Sequence, residues 1–292
     1  VAWNKRDLLL YAVGIGAKKD DFPFLILSGC VDKSWAPFPT YPVVLGLKGE
    51  DQDVNLFSER SKMEGTPGLP AFNPNRVVHG SQFIEILKPL PPVSGAGWKL
   101  KQRICGVHEN SKWQSGIIVD AENILTDSNG TAYAKLYATG QKFDKVIAGP
   151  PQAKPIPKDR KPDWVVTDQT TPEQAIVYRL SGDYNPLHID PKIGQAGGFG
   201  GCILHGLSTY GFAARALLSA IGGNDPHALK FYGCRFTSPV KPGDALETSA
   251  WEVGPGPDGT VEVSFVTKNL TSGKVALGGG IAYIKKVEKS KL

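Results

Sequence analysis

The strongest hydrophobic pattern in the chain runs from Leu207 to Leu218, with apolar residues at 207, 210, 213, 214, 217 and 218. That is the spacing of one helical face, so the segment predicts a mostly buried helix whose first turn holds Gly206. Other segments alternate with period two, as strands do: Lys99–Cys105 and Leu246–Trp251 are the clearest. Gly116-Ile-Ile-Val-Asp with Asp127-Ser-Asn-Gly-Thr, and Gly259-Thr-Val-Glu-Val with Leu270-Thr-Ser-Gly-Lys, predict two hairpins turning at Asn-Gly and Ser-Gly. The stretch 40–60 is different. It holds Pro42, Gly46, Gly49 and several charges without a helical stripe, and predicts an open loop.

These patterns occur twice. Asp7-Leu-Leu-Leu-Tyr11-Ala-Val-Gly-Ile-Gly16-Ala aligns without a gap on Gln174-Ala-Ile-Val-Tyr178-Arg-Leu-Ser-Gly-Asp183-Tyr. Phe83-Ile-Glu-Ile-Leu-Lys-Pro89 aligns on Phe231-Tyr-Gly-Cys-Arg-Phe-Thr-Ser-Pro239, and the two hairpins form a third pair. Self-similarity of this kind marks duplicated units that share one core. The copies differ where it matters: Gly16 stands in the place of Asp183, and no Asn-Pro-x-His follows it. The first copy therefore lacks the chemistry of the second and is free to serve as a binding surface.

A length of 292 residues and 41% hydrophobic content suit such a duplicated pair, and few helices among 34 glycines and 23 prolines suggest an α+β chain. The expected division is a non-catalytic unit over 1–147, a linker over 148–163 and a catalytic unit over 164–292. The linker, Ala148-Gly-Pro-Pro-Gln-Ala-Lys-Pro-Ile-Pro-Lys-Asp-Arg-Lys-Pro162, is proline-rich and should run extended, its basic charge simply solvated. The net charge of +5 is modest, and no aromatic-plus-basic stripe points to nucleic acid. No apolar run reaches membrane-spanning length, and no signal peptide opens the chain. Cys30, Cys105, Cys202 and Cys234 are scattered without a Cys-x-x-Cys and read as reduced intracellular thiols.

The candidate chemistry lies in Tyr178-Arg-Leu-Ser-Gly-Asp183-Tyr-Asn185-Pro-Leu-His188. Pro186 fixes its own φ and drives Asn185 out of the helical region, so Asp183 and His188 flank a bend. A carboxylate and an imidazole aimed at one point suit general acid–base catalysis. The same residues also suit an ordinary surface turn. Further on, Gly197-Gly-Phe-Gly-Gly201 leads through Cys202-Ile-Leu-His205 into the helix at Gly206. A glycine at a helix N-terminus offers a free N–H that an oxyanion can approach closely. His205 reads as a structural or capping histidine.

With these motifs the chain resembles the hydratase 2 (MaoC-like) family of enoyl-CoA hydratases, nearest to the hydratase unit of the peroxisomal type 2 multifunctional enzymes. Asp7–Ala17 and Val78-His79-Gly80-Ser-Gln82 extend the resemblance over essentially the whole chain. It implies a double hot-dog fold, two long helices each wrapped by a curved antiparallel sheet. It also implies reversible hydration of trans-2-enoyl-CoA to (3R)-3-hydroxyacyl-CoA without a cofactor or metal. Asp183, His188, Asn185 and Gly206 would carry the reaction, a water being held between Asp183 and His188. Tyr184, Pro186, Leu187 and Phe236 would line the substrate, His79-Gly80 the nucleotide part of CoA, and Lys112 would be a CoA contact. The first unit would take the acyl tail, its open 40–60 segment widening the tunnel.

Ser290-Lys291-Leu292 matches the peroxisomal address and implies an import receptor as partner, in the setting of β-oxidation. A homodimer is expected from the family. Val1 is not an initiator methionine, which suggests a fragment of a larger multifunctional polypeptide. No Rossmann fingerprint marks an attached dehydrogenase. A hot-dog thioesterase, a non-enzymatic acyl-CoA binding protein, and the same enzyme running as a dehydratase stay open as alternatives.

Overall fold

The computed structural model describes residues 1–18, 36–60, 79–110, 116–139 and 150–287. Among these, nine strands form one antiparallel sheet: β1 (Ser81–Ile86), β2 (Lys99–Asn110), β3 (Gly116–Thr126), β4 (Ala132–Thr139), β5 (Trp164–Gln169), β6 (Leu229–Phe236), β7 (Ala245–Pro255), β8 (Val261–Asn269) and β9 (Val275–Ile284). Their order across the sheet is β2-β3-β4-β1-β6-β9-β8-β7-β5. The first four strands and β6–β9 thus have the same order, reversed about the β1–β6 junction. Ile84 faces Tyr232 there, and those two residues are equivalents in the internal repeat. An internal two-fold axis requires such self-pairing. This is a double hot-dog.

The six α-helices among the described residues are α1 (Lys5–Gly14), α2 (Leu45–Lys48), α3 (Phe57–Arg60), α4 (Gln174–Arg179), α5 (Pro191–Ala196) and α6 (Gly206–Ala220). The hydrophobic stripe is realised in α6, every residue of which from Leu207 to Leu218 is buried. Tyr210, Leu217 and Leu218 join Ile84, Leu125, Leu136, Tyr232, Phe265 and Ile284 in one core. Burying side chains of this size, at about 1.5–3 kcal/mol each, provides the main drive for the fold. The two aligned N-terminal runs become α1 and α4, which pack together: Gln174 Nε2 donates to the Gly14 carbonyl at 2.9 Å, and Tyr11 and Tyr178 lie 6.1 Å apart. Asn4 caps α1 by accepting from the Arg6 and Asp7 amides, and Asp7 returns the bond to the Asn4 amide at 2.9 Å.

Both expected hairpins form. Asp127 Oδ1 accepts from the Asn129 and Thr131 amides in one turn, and Asn269 Oδ1 accepts from those of Thr271 and Ser272 in the other. Three expectations need correction. Within 40–60 the chain is no open loop: a 3-10 turn over Tyr41–Val44 runs into α2, and Tyr41, Val44 and Leu45 are buried. Nor does it supply the second of the two long helices that the resemblance implies, because among the described residues 40–60 hold only the 3-10 turn, α2 and α3, four residues each. Lys48 fixes the segment, pairing with Asp7 at 3.3 Å and donating to the Ala2 and Asp51 carbonyls. Finally, the linker's charges are not merely solvated. Lys154 meets Glu262 at 2.6 Å, and Arg160 meets Asp163 at 3.0 Å and the Glu252 carbonyl at 2.7 Å, docking this stretch along β7 and β8.

Cys105, Cys202 and Cys234 are free thiols, while Cys30 lies outside the described residues. Among those residues no helix is long and apolar enough to cross a membrane. Ser290-Lys291-Leu292 also lies outside them.

Candidate active site

After α4 the chain turns through Ser181 and Gly182, whose amides donate to the Tyr178 and Arg179 carbonyls at 2.9 Å. Gly182 has φ +120, and a Cβ there would lie 2.7 Å from that of Lys48, so only glycine fits between the loop and α2. Asp183 Oδ1 then accepts from the Asn185 amide at 3.2 Å, and Asn185 Oδ1 from the Leu187 amide at 3.0 Å. Pro186 starts a 3-10 turn over Pro186–His188. The bend expected from Asn-Pro is present, and Asn185 shapes it with both its amide and its side chain.

His188 is buried, and its Nδ1 lies 2.8 Å from the Ile203 carbonyl. A carbonyl can only accept, so Nδ1 carries the proton and Nε2 of the neutral ring keeps a lone pair. His205 stacks on it, with ring centroids 3.6 Å apart, while its own Nε2 lies 3.1 Å from the Asp183 carbonyl. Though it holds the N-cap position of α6, its side chain makes no capping bond. The capping half of the expectation is thereby overturned, and the structural half stands.

Burial raises the carboxyl pKa of Asp183, and His188 partly opposes the shift. Burial likewise lowers the pKa of His188, against the pull of Asp183. The two shifts in opposite directions favour an uncharged pair that exchanges a proton easily.

The N-terminus of α6 is next to this pair. Gly206 is exposed, and as the first helical residue its N–H has no intrahelical acceptor. Phe236 packs beside it: a Cβ on Gly206 would lie 3.2 Å from the Phe236 ring. The Phe236 amide donates to the Gly80 carbonyl at 2.9 Å, and the His79 ring lies 5.0 Å from that of Phe236. The structure therefore brings Asp183, Asn185, His188, Gly206, Phe236, His79 and Gly80 into one neighbourhood. Tyr184, Pro186 and Leu187 are half-buried on the same loop. Lys112 lies outside the described residues.

Two contributors escaped the sequence reading. Arg179 sits 5.0 Å above the Tyr184 ring, and its positive charge lowers the pKa of Asp183. A signal existed, since Arg179 replaces Ala12 in the internal repeat. The Ile203 carbonyl is main chain, and no residue type announces it.

Asp183, His188 and His205 each offer a donor atom within 4.8 Å of the others, the spacing of a metal site. The ring planes argue against one. At 28° and 3.6 Å the imidazoles are stacked, so their in-plane lone pairs run side by side instead of meeting at one ion about 2.1 Å away. A cleft lined by Phe38, Pro42, Ile86, Leu90, Tyr133 and Leu229 lies elsewhere and contains none of the residues of the 183–188 loop. The titratable pair, and not that cleft, defines the site.

Residues 2–135 match the family model described as MFE-2 hydratase 2 N-terminal domain, and residues 154–275 match the MaoC like domain. A probable enoyl-CoA hydratase 2 of Dictyostelium discoideum is 33% identical, the alignment spanning 99% of this chain and 93% of that protein. A peroxisomal enoyl-CoA hydratase 2 of Arabidopsis thaliana is also 33% identical, with 95% and 89% covered. The crystal structure of a MaoC-like dehydratase from Phytophthora capsici superposes with a TM-score of 0.83 at 36% identity, covering 99% of this chain and 95% of that one.

Proposed function

The chain belongs to the hydratase 2 (MaoC-like) family and is a hydro-lyase, and from that premise we propose that it reversibly hydrates trans-2-enoyl-CoA to (3R)-3-hydroxyacyl-CoA. The observation that carries this reading is the imidazole of His188, its Nδ1 committed to a carbonyl and its Nε2 free, beside the half-buried Asp183. One water is held between the two. His188 polarises it, its oxygen bonds to C3, and the displaced π electrons move through C2 onto the thioester oxygen. The Gly206 N–H stabilises that charge, an effect typically worth about 3 kcal/mol. The water O–H breaks as the C3–O bond forms, and its proton, passed on by Asp183, reaches C2 from the same side, which makes the addition syn; the face of the double bond turned to the pair sets the R configuration at C3.

Residues 164–292 carry this chemistry and residues 1–147 bind the acyl tail, with 148–163 joining them. Phe236, Tyr184, Pro186 and Leu187 line the reacting end of the substrate. His79 and Gly80 meet the nucleotide part of CoA, and Lys112 adds a charge there. Peroxisomal β-oxidation is the setting, with import through Ser290-Lys291-Leu292 and a homodimer as the working form. The name of the Arabidopsis relative supports the compartment.

The test is absorbance at the enoyl-thioester band with trans-2-decenoyl-CoA, followed by chiral analysis, for the wild type, Asp183→Asn and His188→Ala. Loss of the band, a 3R product and collapse in both folded variants are expected. Unaffected variants overturn the assigned site. Release of CoA thiol in place of hydration converts the reading to a thioesterase.

A further inference from the structure

His205 meets both Asp183 and His188 and is almost wholly buried. It is 1% exposed, and at the head of α6 a polar side chain ordinarily caps the free amides of the first turn. Here the side chain turns the other way. Its Nε2 reaches the Asp183 main chain at 3.1 Å, its ring stacks on that of His188 at 3.6 Å, and Tyr178 packs against it at 4.9 Å. Its own peptide bond leads into Gly206, the oxyanion donor of the proposed reaction.

We propose that His205 is a positioning residue: a neutral imidazole, protonated at Nε2, that fixes the Asp183 main chain and the His188 ring in one arrangement. The inference rests on the Asp183–His188 reading of the chemistry. The Asp183 carbonyl only accepts, so Nε2 must carry the ring proton. Nδ1 is then a bare lone pair, and it is buried with no hydrogen-bond partner. A phenylalanine would fill the same space without stranding that acceptor, so the donor at Nε2 is what the imidazole adds. A second proton at Nδ1 would make a buried cation. The facing groups give it little support: His188 and Arg179 both disfavour the charge, while the Asp183 carbonyl is the favourable partner. Tyr178 faces it as an uncharged phenol, since burial holds that pKa well above the ordinary value. Burial is the largest cause keeping the pKa of His205 well below that of free histidine.

The test uses the full chain with ¹⁵N-labelled histidine. Of its five imidazoles, the one whose signal disappears in His205→Gln and His205→Phe should stay a neutral Nε2–H tautomer from about pH 5 to about pH 8, where free histidine titrates. Kinetics supply the second arm. His205→Phe keeps a ring and loses the donor, and its kcat should fall by about tenfold or more, the equivalent of one lost hydrogen bond, with KM within about twofold. His205→Gln keeps a donor and should recover most of that loss. An Nδ1–H tautomer, titration within the window, or an unchanged kcat in His205→Phe overturns the proposal, as does a loss confined to KM. Should the phenylalanine variant fail to fold, the tautomer of the wild-type ring decides alone. Activity that survives Asp183→Asn and His188→Ala defeats the parent reading and leaves the tautomer result intact.

Discussion

Asp183 and His188 are shifted in opposite directions by one cause, burial, acting on groups of opposite charge, and their pKa values are drawn towards each other. The carboxyl of Asp183 is raised in the fold, so its stabilising share is complete below the ordinary 3.8 and is lost as pH rises through the folded value. At neutral pH its ionisation therefore opposes folding. Asp183→Asn should lower kcat by about 10²–10⁴-fold and yet raise Tm at pH 7. The rise should be about 2 °C or more, the response of a chain this size to roughly 1 kcal/mol. Calorimetry at pH 7 that gives an unchanged or lower Tm contradicts this account. For His188 the sign reverses: its share is present above 6.5 and is lost as pH falls through the depressed folded value. The neutral ring persists into mild acid, and the acidic limb of kcat/KM should lie below pH 6.5. A limb above that value would mean that another group controls the profile. The Asp-x-Asn-Pro-x-His motif showed the bend and its two ends at the residue scale. The Ile203 carbonyl that sets the tautomer comes from fifteen residues away, and only folding delivers it.

Elements were legible in proportion to how much of their order is local. The stripe at 207–218 became α6 because an apolar face of that length has one way to be buried. The 41–48 segment has no such face, and it is held by Lys48 bonding to Ala2, Asp7 and Asp51. Alternation read β2 only as far as Cys105. The strand runs on to Asn110 past a register shift between Ile104 and Gly106, and such a shift breaks a period of two. Two glycines of α6 separate function from packing. A Cβ on Gly211 would lie 2.2 Å from Ile15, so Gly211→Ala should destabilise by about 1–3 kcal/mol, as overpacking does. On Gly206 the same methyl meets the Phe236 ring at 3.2 Å, and alanine is the better helix former by about 1 kcal/mol. Gly206→Ala should therefore hold Tm while kcat/KM drops about tenfold, the counterpart of roughly 1.4 kcal/mol. Thermal melts and initial rates on both variants check the contrast; equal effects on both would remove the special role of Gly206.

At the scale of the whole molecule, each half supports the other. Gln174, Ser208 and Arg215 donate to the main chain at Gly14 and Ile15, and Arg215 also pairs with Asp168. In the other direction, α2 of the first half packs against Gly182, the residue before Asp183. Gly182→Ala combines a disfavoured φ with a clash against the Lys48 backbone at 2.8 Å. It should lower kcat per folded molecule as well as Tm, because the loop that it moves carries Asp183. Normal kcat in the folded fraction would show that α2 supports the fold but not the site.

By itself the sequence determined the duplicated architecture, the buried helix, both hairpins and the motif that carries the acid–base pair. Each is written in a local pattern or in the likeness of one segment to another. Tertiary structure alone decided that Ile84 meets Tyr232 on the internal axis and that α2 buttresses Gly182. It also decided that Ile203 and His205 hold the ring of His188 and the main chain of Asp183. The physical reason is range. Periodicity and turn chemistry act over a few residues, whereas a carbonyl offered to an imidazole and two stacked rings depend on how distant segments come together when the core closes.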